Sequence, residues 1–238
     1  MDAFSRIEPV ARDLLARVDA ALIALGAPAD HPIGARLRLL GTTPGDAVAY
    51  FASSDPVPLR AAGAELRGEV REYGSTTIPV SIPWHGRAGE AYANQAAALR
   101  AHLGSGSDLA PYPESLSGRL AATASYVEDV ANWLEGSRAD IARALADVLT
   151  SAQAVIIRSC PALADGLATL TLLPGRVRGD AIRAAADVGD HVLATAAESL
   201  QAGHDLLGRW RPLLTELPFR APQLAEPARS DAPIHLHH

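Results

Sequence analysis

"LSGRLAATASYVEDVANWLEGSRADIARALADVLTSAQAVIIRS", residues 116–159, is the stretch that decides the fold class. Leu116, Leu120, Thr123, Val127, Val130, Leu134, Ser137, Ile141, Leu145, Val148, Ala152 and Val155 follow one another at steps of three and four. That is the period of one face of an α-helix. Read as a single helix from Leu116 to Ser159, the segment would span about 66 Å at 1.5 Å per residue. A helix of that length cannot wrap a sphere, so the expected architecture is an elongated helical bundle or coiled-coil packing. Gly136 inside it costs about 1 kcal/mol relative to alanine and is a candidate kink.

The same period runs outward in both directions. Phe4, Ile7, Ala11, Leu14, Val18, Leu22 and Leu25 form a first stripe, stopped by Gly26 and Pro28. "GARLRLLGTTPGDAVAYFASSD", residues 34–55, reads as two brief helices broken at Gly41, with Thr43 capping before Pro44. Asp55 with Pro56 and Pro58 starts another helix, whose stripe is Leu59, Ala62, Leu66, Val70 and Tyr73, and Gly74 ends it. In "STTIPVSIP", residues 75–83, Ile78, Val80 and Ile82 alternate as in a strand. Two prolines in so short a run argue instead for an extended connector.

The next helix places Ala88, Tyr92, Gln95, Leu99 and Leu103 on one face, and "GSGSDLAPYP", residues 104–113, is the clearest internal boundary. Residues 160–180 read as a connector. A last helix carries Ile182, Ala185, Val192, Ala196, Leu206 and Trp210 and ends near Pro212. The expectation is therefore an all-α, elongated helical bundle over residues 1–217. It contains a helical hairpin at about 56–104 and long amphipathic helices at about 114–159 and 180–214. A Pro-rich tail over 218–238 is expected to be disordered.

Composition narrows the function classes. The chain has 238 residues, 48% of them hydrophobic, enough for a substantial core. A net charge of −6 gives no electrostatic case for nucleic acid or an anionic membrane. All 21 basic side chains are arginine, which with the abundance of alanine suggests a GC-rich genome of actinobacterial type. The single cysteine, Cys160, excludes an intramolecular disulfide and a cysteine-based zinc site, and reads as a small apolar residue at a helix end. The N-terminus lacks the pattern of a Sec signal peptide, and no run approaches the ~18 apolar residues of a membrane span.

One corner stands out. In "PVSIPWHGRAGEAY", residues 79–92, a tryptophan occupies a turn where small polar residues are usual. Gly86 lets the chain turn into a helix without a Cβ clash. Tyr92 lies eight residues after Trp84, two turns into the second helix, where its ring and Ala88 can help pack the corner. Trp84 can plug the end of a helical hairpin, or it can dock a partner, since tryptophan is enriched at interface hot spots.

"WHGRAGEAYANQAAALRAHL", residues 84–103, resembles the second half of the WXG100 family of type VII secretion substrates. Trp84 and Gly86 match the Trp-x-Gly signature, and Ala91 with Tyr92 falls where an alanine–aromatic pair is common in that family. The resemblance covers residues 56–104. The chain length suits the larger PE/PPE and EspB-like relatives, which use the same hairpin within longer bundles. It implies an interaction motif of Trp84, Gly86 and Tyr92, and a partner that is a WXG-type helical protein, a secretion chaperone or ATPase, or a second copy. It also implies export to the cell surface or medium by a non-Sec route. None of the five tyrosines has Asp or Glu four residues later. The family's Tyr-x-x-x-Asp/Glu signal is therefore missing, and export would depend on a signal-bearing partner.

The catalytic inventory is thin. There is no Walker loop, no G-x-S-x-G, no H-E-x-x-H and no spaced Cys/His set. His85 reads as an exposed turn residue. His191 with Asp187, four residues earlier, could orient an imidazole or join a metal site, although a solvated face is the simpler reading. The terminal "HLHH" offers no fixed geometry. Glu114, Glu128, Asp129, Glu135, Asp140 and Asp147 are expected to pair with Arg138 and Arg143 at the surface. The sequence thus points to no catalytic residue, no metal and no cofactor. A non-exported adaptor bundle, cytoplasmic and mediating oligomerisation, shares the expected fold with the secretion-associated reading.

Overall fold

A computed structural model describes residues 2–79, 83–104, 114–160 and 174–215. Its helices in chain order are α1 (Ala3–Leu25), α2 (Ile33–Leu40), α3 (Pro44–Ser53), α4 (Val57–Ser75), α5 (Arg87–Leu103), α6 (Leu116–Thr150), α7 (Ala152–Arg158) and α8 (Gly175–Thr215). No strand occurs among the described residues, and the protein is an all-α helical bundle. None of these helices is long and apolar enough to cross a membrane. The chain divides into two compact units, one of residues 1–61 and 127–210, the other of residues 62–126 and 211–238.

Local chemistry sets the helix ends. Asp2 accepts a hydrogen bond from the Ser5 N–H at the start of α1, and Thr43 accepts one from Asp46 N–H at the start of α3. Each side-chain oxygen satisfies a backbone donor that the first turn leaves without an intrahelical partner. Gly41 ends α2 in the left-handed conformation. Pro44 sits at the first position of α3, where its missing N–H costs nothing.

The first unit holds the main core. Leu14, Val18 and Leu22 of α1, Ile33 of α2, and Val48 and Phe51 of α3 pack in one cluster with Ile141 and Leu145 of α6, Ile157 of α7, and Val192 and Leu193 of α8. α1 packs directly on α3 and α7. Alanines fill the α8 face of this core: Ala181, Ala184, Ala185, Ala186 and Ala196 are all buried. Cys160 is buried beside them, as expected of a small apolar residue at a helix end.

The helix expected over 114–159 is interrupted. α6 ends at Thr150, and Ser151 adopts an extended conformation with its side chain accepting from Ala154 N–H, so that a new helix, α7, begins at Ala152. The break changes the phase of the apolar face. Ala154 and Ile157 enter the core, whereas Val155, which the unbroken period had placed on the stripe, is 65% exposed. Gly136 does not break α6. α8 begins at Gly175, five residues before the expected start, and continues through Pro212 to Thr215.

Arg138 departs most from the surface ion pair expected of it. It is buried beneath the first unit's surface and bonds Asp2 at 2.8 Å and the Ser5 hydroxyl at 3.0 Å. It also donates to the backbone carbonyls of Phe51 at 2.6 Å and Ser54 at 3.0 Å. The carbonyls come from the C-terminal end of α3, where unsatisfied acceptors and the helix dipole both favour a cation. One guanidinium thus joins α6 to the start of α1 and the end of α3. The arginine holds the Asp2 carboxyl well below the usual carboxylate range.

Asp19 works at the other end of α3. Its carboxylate accepts from the Thr43 hydroxyl at 2.9 Å and from Gly45 N–H at 3.1 Å. Burial raises its pKa, against the lowering by those two donors. Gly45 has no room for a side chain, because a Cβ there would meet the Asp19 carboxylate.

Two indoles pin α6 to α8. Trp133 donates its indole N–H to the Ser199 carbonyl at 2.8 Å, and Trp210 donates to the Asp129 carboxylate at 2.9 Å. Gly203 lies under the Trp133 ring, where a Cβ would come 2.6 Å from its Cζ2 atom. Small residues on α8 let the two helices approach at this point.

Candidate functional site

The second unit carries the corner between α4 and α5. α4 buries only Gly63 fully and α5 only Gly89 and Ala96, so most of their apolar side chains are half-buried or exposed. The chain leaves α4 at Ser75, and α5 starts at Arg87 with Gly86 as its N-cap. Residues 80–82 of the connector lie outside the described residues.

Gly86 has φ 78° and ψ −165°, a backbone conformation that is essentially confined to glycine. Three residues on, Gly89 is required for a different reason. A Cβ at Gly89 would approach the Trp84 carbonyl carbon to 2.9 Å, so the incoming chain lies directly against the first turn of α5. The sequence reading singled out Gly86 and missed Gly89. The signal was present in "WHGRAG", where two glycines three apart bracket the first helical turn.

Trp84 and Tyr92 meet across this turn. Their ring centroids lie 6.0 Å apart with an interplanar angle of 61°, an edge-to-face pairing. The Tyr92 hydroxyl donates to the Pro79 carbonyl at 3.1 Å. That bond joins α5 to the connector on the far side of the turn and fixes the tyrosine ring against which the indole rests. The three expected motif residues therefore come together: Gly86 turns the chain, Tyr92 braces it, and Trp84 leans on the brace.

The indole is not a plug. Trp84 is 62% exposed, which corrects the reading in which it fills the end of a hairpin. Tyr92 is half-buried, and His85 is exposed beside the indole. A large aromatic face is thus held in a defined orientation and left open to solvent.

The other sequence candidates take different places. His191 does not pair with Asp187. It faces Asp147 of α6 at 3.7 Å, while Asp187 accepts from His31 at 3.0 Å. His31 accepts a hydrogen bond from Ile33 N–H on its other ring nitrogen, which makes Nε2 the protonated atom of the neutral ring. Asp187 and His191 are neighbours on the helix by their spacing of four residues. Each has instead found a partner from another helix or loop. Arg36 with Asp190 at 2.6 Å completes a polar row that ties α8 to the α1–α2 loop and α2.

Of the acidic residues on α6, Asp140 pairs with Arg143, and Glu135 is held by Arg60 of α4 in a bidentate pair that also engages Asn132. A groove of about 550 Å³ runs between α6 and α8, lined in part by Trp133, Asp140, Asp147, His191 and Glu198. Among the described residues no group of three His, Cys, Asp or Glu side chains comes together to hold a metal ion. The terminal "HLHH" lies outside them.

The sequence matches no family model, and neither a curated protein nor a solved structure matches the chain.

Proposed function

We propose that the chain is a WXG100-like, EspB-like helical protein associated with a type VII secretion system, an exported substrate or secretion partner that works by helix-on-helix docking. The observation that carries the reading is the exposed Trp84 indole, held beside Tyr92 at a turn that Gly86 makes. A protein that needed this tryptophan only for its own packing would bury it, because each large aromatic side chain contributes most to stability when removed from water. Leaving it exposed but oriented suits a contact that is completed by another molecule. The partner in this reading is a helical WXG-type protein or a secretion chaperone or ATPase, and it supplies the tyrosine-based export signal that this chain lacks.

Localisation tests the proposal. Culture filtrate and cell lysate are compared in the native strain and in one lacking the type VII secretion ATPase. Protein present in the parental filtrate and absent from that of the mutant is the expected result. Protein confined to the lysate of both strains overturns export and favours the adaptor bundle. In the exporting strain, Trp84→Ala should reduce the filtrate signal while leaving the lysate signal intact.

A further inference from the structure

We infer that the groove between α6 and α8 binds a linear aliphatic polyamine, stretched along it with ammonium groups on Asp140, Asp147 and Glu198. The groove belongs wholly to the first unit, and the inference does not rest on the reading of the Trp84 corner.

The shape comes first. α6 and α8 run antiparallel here, because Asp129, Trp133 and Asp147 meet Trp210, Ser199 and His191 in reverse order. Each helix gives the groove one strip at steps of three and four. On α6 the strip is Trp133, Ser137, Asp140, Ala144 and Asp147, and on α8 it is His191, Thr195, Glu198 and Ala202. From Trp133 to Asp147 the α6 strip runs about 21 Å at 1.5 Å per residue. The space is long rather than round.

Its most buried polar groups are two hydroxyls. Ser137 is 4% exposed and Ser199 6%, and both line the groove. Among the described residues neither hydroxyl has a hydrogen-bond partner, since Ser199 is engaged only through its backbone carbonyl. Burying a hydroxyl without a partner is costly, and in a helix such a group commonly turns back to a carbonyl one turn earlier. Thr123 and Thr150 do so on α6, and Thr195 does so on α8. Ser137 and Ser199 instead keep their lone pairs for an occupant of the groove.

Charge selects the occupant. Three carboxylates stand against the one guanidinium of Arg143, which bonds Asp140 at 2.8 Å. His191 lies 3.7 Å from Asp147, too far for a hydrogen bond, and Glu198 has no ion-pair partner among the described residues. This excess of carboxylates repels anions and attracts cations. A metal ion needs its ligands around one point, whereas Asp140 and Asp147 are two helical turns apart, about 10.5 Å. Ammonium groups separated by methylenes can meet spread carboxylates one by one. Each has three donors and no acceptor, which suits the carboxylates and the lone pairs of the two serines. The methylenes then lie along Ala144, Ala202 and the Trp133 indole, whose ring is fixed by its bond to Ser199 and offers a face to a cation.

The test titrates the full-length chain with spermidine at about 0.15 M salt, followed by calorimetry and by the indole N–H resonances. The expected result is saturable binding of one spermidine per chain. The Trp133 resonance, assigned by its loss in Trp133→Phe, should shift, and that of Trp84 in the other unit should not. Asp147→Asn and Glu198→Gln should each weaken binding about fivefold, the scale of one solvent-facing charge pair. Ser137→Ala combined with Ser199→Ala should also weaken it without lowering the melting temperature, because those hydroxyls have no partner to lose and alanine is the better helix former. Absence of saturable binding, or of the Trp133 shift, overturns the inference. So does an equal response to magnesium chloride at matched ionic strength, which would assign a diffuse counter-ion effect, or to an uncharged diol of similar length. Tighter binding of a tetra-arginine peptide would give the groove to a basic segment of another protein and overturns it as well. None of these outcomes moves the export reading, which stands or falls on the filtrate.

Discussion

The guanidinium carbon of Arg138 lies 4.6 Å from the centre of the Phe4 ring, so a buried cation on α6 rests on an aromatic face supplied by the first turn of α1. The same guanidinium satisfies the Phe51 and Ser54 carbonyls. Arg138→Met keeps most of the stem's packing but removes the guanidinium donor from the Ser54 carbonyl, from the Asp2 carboxylate and from the Phe51 carbonyl, which keeps only its 3.4 Å bond from Ser54 N–H. The expected loss is about 3 kcal/mol, the scale of breaking a buried charged hydrogen-bond network. A urea titration should show the midpoint falling with the slope unchanged.

Asp2 and Asp19 should pull the pH dependence in opposite directions. The folded-state pKa of Asp2 is depressed below its ordinary 3.8, so the stability from its pairing with Arg138 is present above about pH 4 and is lost as the pH falls further. Asp19 is raised above 3.8, so its folded form takes up a proton first, and stability rises from this group as the pH falls through its folded pKa toward about 4. In melting curves across this range, Asp2→Asn should flatten the acid limb. Asp19→Asn should remove the gain that accompanies the approach to pH 4 from above.

Gly203 and Trp133 form a size-matched pair. Gly203→Leu places a branched side chain where the indole already lies and should cost about 1–3 kcal/mol, the usual penalty for overfilling a packed site. Combining it with Trp133→Ala should recover part of that loss. A purely additive double-mutant cycle in thermal melts would show that the two residues do not share the space.

Trp84→Ala should leave the fold close to native, because the indole is mostly exposed and gives up chiefly its edge contact with Tyr92. A change within about 1 kcal/mol is expected. Gly86→Ala should do more damage, on the order of 1–3 kcal/mol, because an alanine resists the positive φ held there. Calorimetry on the two variants checks the order. If the tryptophan variant were the less stable of the two, the indole would belong to the core after all.

Most of the helices could be read from apolar spacing, because each buries a stripe against its neighbours and the stripe has the helix's own period. Leu134, Ile141, Leu145 and Val148 are buried as their spacing requires. The interruption at Ser151 could not be read that way. A serine in mid-helix and a serine that restarts a helix look alike until the tertiary environment decides whether its side chain caps the following turn. Arg138 misled for a related reason. An arginine among five carboxylates on one helix invites local pairing, whereas its partners lie at the start of α1 and the end of α3. At the corner, Gly86 and Tyr92 were legible from the turn and the helical step. The exposure of Trp84 was not, since a tryptophan's sequence neighbours do not say which of its faces meets water.

α7 illustrates what the Ser151 break makes available. A helix of seven residues is too short to persist unaided in water, because nucleation consumes more order than so few hydrogen bonds return. It stands because Ala154 and Ile157 are held in the shared core. The amide protons of residues 155–158 therefore act as a built-in gauge. Their hydrogen-exchange protection should report the integrity of the α1–α7 contact and vanish when that packing loosens, well before the long helices α6 and α8 surrender theirs.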